Sequence, residues 1–112
     1  MTTTNNIDEM HTTMNTIERK VTLQILDDAL KAGCVVSVHD GGETAIQEST
    51  DKEVIFQAMF STHADTLYLY KDNRVVGWVW LIWGNDCDVI SDYANNPFME
   101  ELLAPAMEIA NA

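Results

Sequence analysis

Residues 75–83, VVGWVWLIW, constrain this chain more than any other stretch. A strand with one face in water alternates apolar and polar residues, because successive side chains point to opposite sides. Here both alternate sets are apolar, and they hold all three tryptophans of the chain, Trp78, Trp80 and Trp83. The segment therefore reads as a central strand whose two faces both need cover. One cover is the chain's own helices; the other is more of the same chain or a partner.

The neighbouring segments place that strand in an antiparallel meander. TLYLY precedes it across KDNR, and DVISDY follows it across GNDC; both breaks carry residues that accept the positive φ of tight hairpins. Turning on Asp72 and Asn73 pairs Leu69 with Val76 and Leu67 with Trp78. Turning on Asn85 and Asp86 pairs Trp83 with Asp88, Ile82 with Val89 and Trp78 with Tyr93. On this register the core face holds Leu67, Leu69, Val76, Trp78, Trp80, Ile82, Val89 and Tyr93. The second face holds Tyr68, Tyr70, Val75, Gly77, Val79, Leu81, Trp83, Asp88, Ile90 and Asp92. A shift of one residue exchanges the two sets.

Helical patterning flanks the meander. Ile17, Val21, Ile25 and Ala29 recur every four residues, joined by Leu26 and Leu30, and predict a helix over about 16–32 ending at Gly33. Asn15 and Glu18 form a capping-box pair at its start. CVVSVH reads as a strand closed by the glycine turn DGG. Thr50 and Glu53 box a short helix over about 51–61, with Val54, Ile55, Ala58 and Met59 inward. Asn96 caps a last helix with Pro97 in its first turn, and Pro105 is expected to kink or shorten it. The expected architecture is α+β: a four-stranded antiparallel sheet, a meander of three strands plus one, packed by up to three helices in the order α-β-α-β-β-β-α. Residues 1–14, rich in threonine and asparagine, read as a disordered lead-in to a single domain over 15–112.

Charge limits the partners. Eighteen acidic residues against six basic ones give a net charge of −12, and no lysine or arginine follows Arg74. Such a chain repels nucleic-acid backbones and anionic membranes; the charge favours a protein with a basic surface or merely keeps the chain soluble. Two cysteines, no apolar leader and no apolar run of spanning length point to the cytoplasm.

Reactive chemistry is sparse. Cys34, His39, Cys87 and Asp88 lack the close spacing of a zinc site, and Asp86, Asp88 and Asp92 lack the calcium-loop pattern. No nucleophile elbow or phosphate loop is present. The expectation is a non-enzymatic chain with no cofactor or metal. Its candidate binding surface is Tyr68, Tyr70, Leu81, Trp83 and Ile90 with Asp86, Asp88 and Asp92 at the edge, since tyrosine and tryptophan concentrate binding energy. The different-class alternative is a self-associating accessory domain that buries the second sheet face in a homodimer.

The run TLYLYKDNRVVGWVWLIWGNDCDVISDYANN, followed by a helix bearing Leu102 and Leu103 and preceded by VVSVHDGGE and STDKEVIFQAMFST, resembles small uncharacterised acidic proteins of bacteriophages and prophage-bearing proteobacteria. The resemblance covers residues 18 to 110 and rests on overall pattern. It implies a phage-type protein acting in the host cytoplasm. Proteins of that kind often bind or inhibit a host protein, some by mimicking the charge of DNA.

Overall fold

The structure, a computed structural model, describes residues 16–40, 44–60, 62–84 and 89–111. Its elements run α1 (Thr16–Lys31), β1 (Val35–His39), β2 (Thr44–Ser49), α2 (Lys52–Gln57), β3 (Ala64–Lys71), β4 (Arg74–Ile82), β5 (Ile90–Tyr93) and α3 (Pro97–Ala110). The five strands form one antiparallel sheet in the order β2-β1-β3-β4-β5. The fold is α+β as expected, with five strands instead of four. The expected lead-in over 1–14 and the cap residue Asn15 lie outside the described residues.

The added strand is β2. Its sequence, TAIQES, carries a weak apolar signal because an edge strand half in solvent needs little of one. Its pairing with β1 is irregular. Glu48 takes a positive φ of 49° and donates its N–H to the Ser37 hydroxyl at 2.9 Å, which satisfies a backbone group the distorted ladder leaves over. Helix α2 is shorter than expected, and Asp51, not Thr50, caps it by accepting from the N–H groups of Glu53 and Val54. Ile55, Phe56 and Met59 are buried there, whereas Val54 is exposed.

Helix α1 buries Val21, Ile25, Leu26 and Ala29, the stripe its spacing predicts. Helix α3 begins at Pro97 with Asn96 accepting from the Met99 N–H at 2.8 Å, and it continues through Pro105 to Ala110. Pro105 and Glu101, whose carbonyl loses its helical donor there, both sit on the exposed side, so the missing bond falls where water reaches.

The sheet register departs from expectation at two places, the first of them in the β3–β4 pair. Asp72 and Asn73 form the predicted turn, with φ of 52° and 64°, and Lys71 faces Arg74 and Tyr70 faces Val75. Leu69 then faces Gly77, leaving Val76 as an extra residue on β4. This bulge reverses the faces of everything beyond it. Leu67 pairs with Val79, Tyr68 with Trp78 and Thr66 with Trp80. The core face is Leu67, Leu69, Val79 and Leu81, all fully buried, with Gly77 among them. Trp78 and Trp80, expected in the core, lie on the other face.

The reason for the bulge lies in what packs beside it. A Cβ on Gly77 would land on the side chain of buried Met99 in α3. The carbonyl of Val76 accepts from Asn96 Nδ2 at 3.3 Å, so the residue capping α3 also ties its start to the bulge. Bulge, glycine and helix cap form one joint, and any side chain at that point would require Met99 to shift. A second irregularity, between Trp80 and Leu81, places Tyr93 opposite Val79 and Asp92 opposite Trp80.

Candidate functional site: an open aromatic sheet face

All three helices pack on the Leu67–Leu81 face with the buried cluster there. Among the described residues no helix covers the opposite face. Its two central strands present Thr66, Tyr68 and Tyr70 beside Val75, Trp78 and Trp80, with Val35 and His39 on one flank and Asp92 on the other. Trp80 is 42% exposed and Val75 53% exposed, large apolar side chains that a sheet normally buries. Tyr68, Tyr70 and Trp78 are half-buried. The His39 ring meets the Tyr68 ring edge to face at 4.8 Å. At one end of this face His39, Thr62, His63, Thr66, Tyr68 and Trp80 line an open groove of about 430 Å³.

The sequence-based site is split by this geometry. Tyr68, Tyr70 and Asp92 belong to the open face. Leu81 does not: it is fully buried. Ile90 faces Leu81 and packs on the core. Trp83 also packs on the core, its ring 4.3 Å from Phe60. Asp86 and Asp88 lie outside the described residues. What the residue pattern alone misses is Trp78 and Trp80. The available signal was Gly77, since a lone glycine inside a strand marks a bulge or a close backbone approach, and here it marks both.

Trp83 belongs to a different arrangement, one that holds the groove end of the sheet. Its indole N–H donates to Asp65 Oδ2 at 2.9 Å, and the Phe60 N–H donates to the same oxygen at 2.9 Å. Phe60 has a φ of 74°, unfavourable for a side chain with a Cβ, and the bond from its N–H helps hold it there. Asp65 is 1% exposed and its Oδ1 accepts no hydrogen bond among the described residues. Burial pushes the Asp65 carboxyl above the usual carboxylate range; the bonds from Phe60 and Trp83 oppose this, and Asp40 adds to it. A second buried acid, Glu18 of α1, accepts the N–H of Gly84, so a helix side chain ties down the end of β4. The capping-box pairing of Glu18 with Asn15 falls outside the described residues; the bond to Gly84 makes Glu18 a long-range tether.

Cys34 is buried, and burial raises its thiol above the ordinary value, which disfavours the thiolate a nucleophile needs. Among the described residues no group of three or more histidine, cysteine, aspartate or glutamate side chains is placed to hold a metal ion. No helix among them is long and apolar enough to cross a membrane. Comparison of the chain with protein-family models, with curated proteins and with solved structures finds no match.

Proposed function

We propose that this chain is a non-enzymatic binding protein that engages a basic protein through the open face of its sheet. The observation that carries the reading is the placement of Trp78 and Trp80 beside Tyr68 and Tyr70 on a face no described helix covers, flanked by Asp92. Rigid aromatic side chains lose little entropy on binding and dominate the energy of protein interfaces. The net charge of −12 supplies the sign of the partner, since attraction at the rim speeds encounter with a basic surface. In the setting that the resemblance to phage proteins implies, the partner is a host protein in the cytoplasm, and its inhibition by charge mimicry of DNA is one form such binding takes. Direct binding to nucleic acid or to an anionic membrane runs against the charge.

A second reading uses the same face. The exposure of Val75 and Trp80 also suits a homodimer in which two sheets pack face to face. Charge opposes it, because each copy carries the same −12. Two measurements test the pair of readings. A photo-crosslinking residue at Tyr70 or Val75 traps a partner protein in a salt-sensitive manner, while the same residue at Glu101 on α3 does not. Sedimentation of the purified chain then separates a monomer, required by the first reading, from a dimer. Equal trapping from both positions overturns both readings.

A further inference from the structure

We propose that Trp80 is a seat for a guanidinium group: an arginine side chain of the partner stacks on the indole, with Asp92 accepting its N–H donors. This rests on the open face being the binding surface and names the group that surface takes. Three observations converge on it. Trp80 is the most exposed aromatic side chain of the sheet, at 42%. It lines the groove at one side, while Asp92, also exposed, is its cross-strand partner on the other. Directly opposed residues have their Cβ atoms about 4.5–5.5 Å apart, so one planar cation on the ring is within reach of the carboxylate. The flat, weakly hydrated guanidinium suits this combination better than an ammonium does, because it stacks and donates in its own plane at the same time.

The chain's six cations stand elsewhere, and Lys20 and Lys31 belong to α1 on the helix side. Lys71 lies over the Phe98 ring at 5.9 Å and Arg19 over the Phe56 ring at 5.6 Å, both on the helix side, and Lys52 pairs with Asp27 at 2.7 Å. Arg74 stands at the far end of β4, six residues from Trp80 and so about 20 Å away along the strand. Among the described residues two rings on the helix side, Phe56 and Phe98, have cations over them, and no such contact is found at Trp80. Charge complementarity selects the occupant: the ring and its neighbouring carboxylate attract a cation and repel an anion, as does the net charge around them.

The test uses the full chain labelled with ¹⁵N-tryptophan, which gives three indole N–H signals. The probe is a short blocked peptide alternating arginine with glycine; its control replaces each arginine by citrulline, the uncharged isostere. The arginine peptide shifts the Trp80 signal in a saturable way and leaves Trp83, whose indole N–H is held by Asp65, in place. The citrulline peptide binds at least about tenfold more weakly, as loss of a desolvated cation–π contact requires. Trp80→Leu keeps an apolar strand residue and abolishes the response; Trp80→Tyr retains part of it; Asp92→Asn weakens binding a few-fold and flattens its salt dependence. Equal binding of the citrulline peptide, unchanged binding by Trp80→Leu, or no shift at Trp80 overturns the proposal. If the crosslinks from Tyr70 and Val75 persist in that event, only the guanidinium seat falls; if they are lost as well, so does the open-face reading beneath it.

Discussion

The two faces of this sheet are made from the same strands and from similarly apolar residues, yet they are filled and covered differently. The inner face uses small and medium side chains, Leu67, Leu69, Gly77, Val79 and Leu81, which leave α1 and α3 room to approach. The outer face carries the bulk, Tyr68, Tyr70, Trp78 and Trp80, with no described helix against it. Size, not hydrophobicity, sorts the two. A helix resting on β4 needs a glycine beneath Met99, and an indole at the same point would hold it off. The large aromatics on the face away from the helices are the residues the proposed binding reading uses.

The largest expected effect falls on the inner face. Leu81→Ala should destabilise by about 2–5 kcal/mol, the range for truncating a fully buried leucine, read as a lower urea midpoint at unchanged slope. Next comes the joint between sheet and helix. Gly77→Ala places a Cβ where the Met99 side chain lies, and overpacking of this kind costs about 1–3 kcal/mol. A neutral outcome there would mean that Met99 moves aside freely and that the bulge has another origin.

Asp65 offers a subtler comparison, between a buried acid and its neutral isostere. Its carboxyl is pushed upward by burial, so the folded state holds the proton more tightly than the unfolded chain does. That contribution is fully present below the unfolded carboxyl value and is lost as pH rises toward the folded one. Asp65→Asn cannot lose a proton. Its stability relative to the parent should therefore improve as pH rises from about 4 to 7, where ordinary carboxyls have already ionised. Urea titrations of both proteins across that range check this; a constant gap would mean that Asp65 ionises alike in both states.

How much of this was legible in the residues follows from where the signals are local. Helix α1 announces itself through four-residue spacing, helix α3 through its Asn96 cap and Pro97, and the turn at Asp72–Asn73 through its residue types, because each is decided within a few positions. The face assignment fails because it compounds: a correct turn fixes Tyr70 opposite Val75, and one inserted residue at Val76 then reverses the whole of β4. Both alternate sets in VVGWVWLIW are apolar, so burial preference alone cannot detect the error. Strand β2 and the tether from Glu18 to Gly84 escape for the opposite reason. They are long-range or edge features, with a polar local sequence that reads equally well as loop or as helix cap. Of the candidate site, Tyr68, Tyr70 and Asp92 keep their places because they precede the bulge in chain order or because the second irregularity in β5 restores the sense of the pleat.

The smallest expected effect is the one that sharpens the comparison most. Trp80→Ala removes the largest type of side chain the chain possesses, and from a buried position it would cost about 3–5 kcal/mol. Trp80 is 42% exposed, however, and it stands over the sheet with no helix to be undermined by its loss. What the fold forfeits is partial contact with its strand neighbours and the strand preference of an aromatic residue, which together amount to less than about 1 kcal/mol. The unfolding midpoint should move little, followed by circular dichroism because a tryptophan probe has been removed. A loss comparable to that of Leu81→Ala would mean that Trp80 is buried in solution by contacts the open face does not have here, and a dimer that dissociates on substitution would account for it. A small loss of stability with a large loss of partner crosslinking separates the two faces by function: one holds the fold together, and the other is available for a partner.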